Sequence, residues 1–370
     1  MNPPRLTLAR KRRGLNKITL ARLVGVTAKS LTNYESGRAC PSAKTVEALA
    51  NVLRFPVAFF ARPDPEELQA DGVSFRALKS MTAGQRDAAL AAGSLAVDLN
   101  RWIAGRFKLP VADLPDLRDY EPEEAANILR VEWGIGVRPI GNLVHLLEAK
   151  GVRVFSLAER GKQVDAYSLW CEETPFVFLN TMKTPEHGRM DAAHELGHLV
   201  LHRHGSTRGQ GRGRDVEREA QQFGAAFLMP AASVRSVVPR LMAPTVQQLI
   251  PLKPHWKVSV AALARRLHEL KLMSEWSYRS VNVQLSRYGG RRREPEGMEE
   301  RETSQVFDKV FHELRRRGMS KAHVARELGL HVGDLETLIF GLSPIAGSPR
   351  RGKQGNPDAV ARRARMKIVR

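Results

Sequence analysis

Residues 191–205 read DAAHELGHLVLHRHG, with His194, His198, His202, His204 and Glu195 set in a largely apolar stretch. A helix over this stretch offsets residues four apart by about 40° and about 6 Å, so His194 and His198 can hold one cation between them. Glu195 completes an H-E-x-x-H pattern, in which the acid beside the first histidine acts as general base next to zinc. Two structural histidines are the alternative. A chance match would seldom also fall in an apolar helix behind short strands, and that context is what precedes it here. Asn142–Lys150 reads as a helix, and GVRVFSL, DAYSLW and PFVFLN (151–157, 165–170 and 175–180) read as short β-rich runs. The H-E-x-x-H helix then runs from about Pro185 to His202.

A catalytic zinc takes a third protein ligand and keeps an open position. His204 has the spacing of an extended histidine motif, but Leu201 stands where that motif turns on a glycine, which counts against it. His202 continues the i, i+4 row one turn too far, and its expected role is either structural or behind the ligands. Downstream, DVEREAQQFGAAFLMP (215–230) is an amphipathic helix with Ala220, Phe223, Ala226 and Phe227 on one side. Glu217 lies three residues before Ala220 and shares that side, which makes it the third ligand of choice. Glu219 is the fallback. Tyr167 is a weak candidate for stabilising an oxyanion and is better read as core.

The rest of the chain sets the context. Its 370 residues suffice for two or three domains. The net charge of +20 is uneven: residues 1–62 hold 12 basic and 2 acidic side chains, residues 350–370 hold 8 and 1, and the middle nets only +3. Basic ends around a near-neutral middle point to a polyanion partner, with double-stranded DNA the leading candidate. Cys40 and Cys171 form no CxxC pair, so neither a disulfide framework nor a thiolate metal site is expected. With no apolar leader and no run of about 20 apolar residues, a soluble, cytoplasmic protein without a membrane partner is expected.

Residues 5–60 break into short helices at Gly14, Gly25, Gly37 and Pro41, with Asn16 and Thr27 as N-caps. Two helices of about eight residues joined by a tight glycine turn form a helix-turn-helix. Its second helix would enter the major groove with Ala28, Lys29, Ser30, Thr32 and Asn33 toward base edges, Lys29 at guanine and Asn33 at adenine. Arg10, Lys17, Arg38 and Lys44 stand near helix ends, where phosphate contacts are usual. The run LARLVGVTAKSLTNYESGR (20–38) resembles the Cro/cI-type (XRE) helix-turn-helix family. A homodimer is compatible with reading two half-sites.

The histidine region resembles the ImmA/IrrE family of zinc metallopeptidases. HELGH stands on one helix, EREAQQFGAAFLMP (217–230) on the next, and strands precede both over about 110 residues. The resemblance implies a zincin fold with His194, His198 and Glu217 as Zn2+ ligands and Glu195 as catalytic base. It also implies a protein substrate, a helix-turn-helix repressor, cleaved in a stress or mobile-element response. Gln221 and Gly224 depart from the common pattern without removing a ligand.

The expected fold class is mainly α with a small α+β zincin-like domain. It comprises a helix-turn-helix bundle (1–62), a helical linker (63–125, with Arg76 as a surface arginine), the metallopeptidase (126–240), a helical, helix-turn-helix-like region (241–347) and a basic, disordered tail (348–370). The function so read is a DNA-binding regulator carrying a zinc endopeptidase. One alternative is a transcription factor or antitoxin whose zinc is structural or sensory; another is a protease that docks a repressor through its N-terminal bundle.

Overall fold

The computed structural model describes residues 1–68, 81–157, 166–202, 213–238, 244–287, 294 and 297–343. Expectations for Arg76, His204 and the 348–370 tail lie outside these residues. In chain order the helices are α1 (Pro3–Arg12), α2 (Lys17–Val24), α3 (Ala28–Glu35), α4 (Ala43–Leu53), α5 (Ala83–Ala104), α6 (Pro122–Glu132) and α7 (Leu143–Ala149). Strands β1 (Arg153–Ser156), β2 (Ala166–Cys171) and β3 (Thr174–Leu179) come next, then α8 (Pro185–Leu201), α9 (Gly213–Leu228) and α10 (Ala231–Val237). The last helices are α11 (Val260–Glu269), α12 (Glu275–Arg287), α13 (Gln305–Arg316), α14 (Lys321–Glu327) and α15 (Val332–Ile339), with short helical turns before α11. The fold is mainly α with one three-stranded sheet. Among the described residues no helix is long and apolar enough to cross a membrane.

Packing divides the described residues into two compact units, 1–68, 82–111 and 303–343 in one, and 81 with those among 112–302 in the other. In the first, the caps stand where short polar residues precede apolar runs. Asn16, Thr27 and Ser42 accept the backbone N–H of Thr19, Ser30 and Thr45, and Gly25 closes α2 at φ 78°. Leu6, Leu20, Leu31, Leu49, Leu53, Phe59 and Phe60 form the fully buried core. Cationic residues line its margin. Arg5 is buried against Asp98 and the Phe59 ring, and Arg10 pairs with Glu35 at 2.5 Å. Arg10 is thus engaged inside the bundle rather than offered to phosphate.

The C-terminal helices α13–α15 belong to this same unit. Asp334 accepts from Arg13 at 2.8 Å, and Glu327 accepts from Trp102 Nε1 at 2.7 Å and from Arg106 at 2.6 Å. Gly329, at φ +63°, lies so close to Phe59 that a Cβ would come within 3.1 Å of its Cα. The span 241–347, expected to be one region, is divided at residue 303, and the span 63–125 is shared, with 63–68 and 82–111 in the first unit and Met81 and 112–125 in the second. Periodicity locates helices, but which faces fit together depends on side-chain shape.

In the second unit the sheet has the order β1-β3-β2, β1 parallel and β2 antiparallel to β3. Phe155, Tyr167, Phe176 and Phe178 form a stacked aromatic cluster, with Tyr167 and Phe178 centroids 4.5 Å apart. Thr184 caps α8 and Pro185 opens it, its fixed φ suiting the first turn. Helix α8 packs against β2, β3 and α9, and the α8–α9 crossing is close because both contribute glycine. A Cβ on Gly197 would meet the Phe223 ring at 3.0 Å and Ala220 backbone at 3.2 Å; one on Gly224 would meet His194 N at 3.0 Å. Two buried guanidiniums tie loops to this core. Arg130 donates to the carbonyls of Gly136, Phe227 and Arg138, and burial, then the charge of Arg189, lowers its pKa to about 10. Arg189 pairs with Glu302 and donates to Ile140 O at 2.6 Å.

Candidate metal centre

Helix α8 sets His194, Glu195 and His198 at its centre, with donor atoms all within 4.8 Å of one another. The Nε2 atoms of His194 and His198 face each other at 3.0 Å. Glu217, on α9, brings Oε2 to 3.4 Å from His194 Nε2 and Oε1 to 3.6 Å from His198 Nε2. His198 is fully buried, Glu195 and Glu217 nearly so, and His194 keeps 16% of its side-chain surface exposed. Two imidazole nitrogens aimed at one point beside a carboxylate need a proton or a cation to relieve lone-pair repulsion. The donor set therefore fits a divalent cation.

Electrostatics agree with a cation-seeking site. Burial works to lower the pKa of His194, but the hydrogen bond to Glu217 and the charges of Glu195, Glu217 and Asp191 outweigh it and raise the value. Asp191, one turn earlier, is pushed up to about 7 by burial, against the lowering pull of Lys183 and His194. Its Oδ2 is buried without a hydrogen-bond partner.

Around these side chains stand others that the spacing argument did not single out. Ser168, fully buried on β2, donates from Oγ to Glu195 Oε2 at 2.7 Å. Strand alternation was the available signal: Ser168 and Trp170 face α8, where Trp170 Nε1 reaches Leu199 O at 3.3 Å, while Tyr167 stacks on Phe178 on the opposite side. Tyr167 is thus core. His202 Nδ1 lies 3.2 Å from His198 Nδ1, and His202 Nε2 lies 2.9 Å from Glu219 Oε2. Burial lowers the His202 pKa despite Glu219. Glu219 is accordingly at His202, away from the Nε2 pair.

In the first unit, Ala28, Lys29, Thr32, Arg38 and Lys44 are exposed, and Lys17, Ser30 and Asn33 are half-buried. Several have local partners. The Thr32 hydroxyl donates to Ala28 O at 2.9 Å, the Ser30 and Thr27 hydroxyls share a 2.8 Å hydrogen bond, and Lys17 lies 3.5 Å from Glu35.

Residues 6–60 match the model of the helix-turn-helix family, and residues 147–268 match that of the IrrE N-terminal-like domain. The chain joins an XRE-type helix-turn-helix to an ImmA/IrrE-like peptidase domain. No curated protein matches it. The peptidase-like match begins in α7, spans the sheet, α8 and α9, and ends in α11, so it contains the whole donor cluster. The helix-turn-helix match contains α2–α4 and supports DNA binding; together the two domains support a regulator with a protease domain.

Proposed function

We propose that the protein is a DNA-binding regulator whose peptidase domain is a zinc endopeptidase, with a helix-turn-helix repressor as substrate in a stress or mobile-element response. The observation that carries the catalytic part is the convergence of His194, His198 and Glu217 at mutual distances of 3.0, 3.4 and 3.6 Å. Tetrahedral zinc with bonds of about 2.0–2.2 Å separates its ligands by about 3.3–3.6 Å, which the two Glu217 distances match and the 3.0 Å histidine pair approaches from below. His194 Nε2, His198 Nε2 and the Glu217 carboxylate would hold it.

Bound there, zinc would supply Lewis acidity toward water and the scissile carbonyl. Glu195 takes the proton from water and returns it to the leaving amine. Ser168 orients that carboxylate through Oε2, and the buried setting excludes bulk water that would compete for the proton. Strand β2 pairs only with β3 among the described residues. On the DNA side, Lys29 and Asn33 read bases while Lys17, Arg38 and Lys44 hold phosphates, with Ala28, Ser30 and Thr32 against the groove.

The first test is zinc per chain by elemental analysis in wild type, His194→Ala and Glu217→Gln. One zinc in the wild type and none in either variant is expected. Retention in Glu217→Gln would remove Glu217 from the ligand set; a zinc-free, folded wild type would remove the peptidase reading and leave the regulator.

A further inference from the structure

A histidine that binds a metal through Nε2 carries its proton on Nδ1, and that N–H usually meets a carboxylate or a backbone carbonyl. In His198 the Nδ1 faces another imidazole nitrogen, His202 Nδ1, at 3.2 Å. If His198 Nδ1 donates, His202 Nδ1 must accept, so the proton of neutral His202 resides on Nε2. There Glu219 Oε2 stands at 2.9 Å to accept it. Each role follows from the one before, and the chain ends on a carboxylate.

We propose that His202, backed by Glu219, is a positioning pair that holds His198 in its metal-binding tautomer and orientation. This rests on the reading of His198 as an Nε2 ligand. The backbone favours the arrangement, since His202 N–H still donates to His198 O at 3.1 Å and carries the helical spacing one residue past α8. The two rings are inclined at 53° with centroids 5.3 Å apart, which is edge contact rather than stacking. His202 cannot itself join the ligand set while its Nδ1 faces the Nδ1 side of His198, because the metal-facing nitrogens are the two Nε2 atoms. Helix α9 thereby serves α8 twice, through Glu217 at the ligand nitrogens and through Glu219 behind them.

The test is zinc affinity of the full chain by competition with a chromophoric chelator, comparing wild type, His198→Ala, His202→Leu, His202→Asn and Glu219→Ala. Leucine keeps bulk and removes the acceptor; asparagine keeps an acceptor oxygen near the Nδ1 position. The pair predicts affinity about 10–100-fold weaker in His202→Leu, most of it restored in His202→Asn. Glu219→Ala, on a side chain 40% exposed and hence safe for folding, loses affinity by a smaller factor. Wild-type affinity in His202→Leu, or an asparagine variant no tighter than the leucine one, overturns the proposal while leaving the metal site intact. Should His202→Leu fail to fold by circular dichroism, unchanged affinity in Glu219→Ala overturns it instead. A wild type that takes up no zinc, or a His198→Ala variant that keeps it, refutes the metal reading itself and the pair with it.

Discussion

Helices α3 and α8 both carry candidate functional residues, but α3 displays them on a surface and α8 buries them in a core. In α3 a single residue, Leu31, anchors the helix, and Lys29 and Thr32 stand in solvent. In α8 twelve residues are buried, His198 and Glu195 among them, and the helix is fixed on two sides by the sheet and α9. A surface that reads a groove can change its side chains at little cost to folding. A buried cluster couples every change to packing, because each atom there already has a neighbour.

The sharpest break of that contrast is Glu195→Gln. Substrate cleavage should fall by about 10²–10⁴-fold, with zinc content and the DNA operator affinity unchanged. Retained cleavage would remove Glu195 from its role as base, and a regulatory output that survives the loss of cleavage would favour the non-catalytic zinc alternative.

Gly197→Ala tests the coupling of packing to the site. The added methyl meets the Phe223 ring and the Ala220 backbone, so α9 must shift, taking Glu217 with it. A loss of about 1–3 kcal/mol in urea unfolding is expected, together with weaker zinc binding; a neutral result would show that the two helices are free to separate.

On the surface side, Lys29→Ala should leave the unfolding midpoint alone and cost about 1–3 kcal/mol of discrimination at one base pair. Arg38→Ala should weaken binding to all sequences alike and lower the salt slope by about one. A shift in unfolding midpoint for either would erase the distinction between surface and core.

The smallest effect is a pH dependence. Asp191 has its pKa raised from an ordinary 3.8 to about 7 in the folded chain, so the native state holds a proton that the unfolded state releases. That contribution is complete below about pH 3.8 and is lost as pH rises through about 7. Metal-free Asp191→Asn should show a flatter fall in stability across that window than metal-free wild type, by urea midpoints at several pH values.

Much of the site was legible because it is local. The i, i+4 spacing of His194 and His198 needs only a helix, and the Glu217 argument needs only a second helix with a marked apolar side. Ser168 and the His202–Glu219 contact were not legible as partners, since they join residues on different elements. Arg10 shows the same gap in the other direction: it looks like a phosphate contact at a helix end, yet Glu35, 25 residues away, takes it.

By itself, the sequence determined the helices, their caps, the short strands and the residue types able to bind a metal or a phosphate, because hydrogen bonding and periodicity act over a few residues. Only the tertiary structure decided that Gly197 and Gly224 let α8 and α9 meet closely enough to bring the His194, His198 and Glu217 donor atoms together. It alone decided, too, that α13–α15 join the helix-turn-helix unit, with Asp334 on Arg13 and Glu327 on Trp102. Those outcomes depend on the shapes of faces far apart in the chain, and periodicity carries no information about which face meets which.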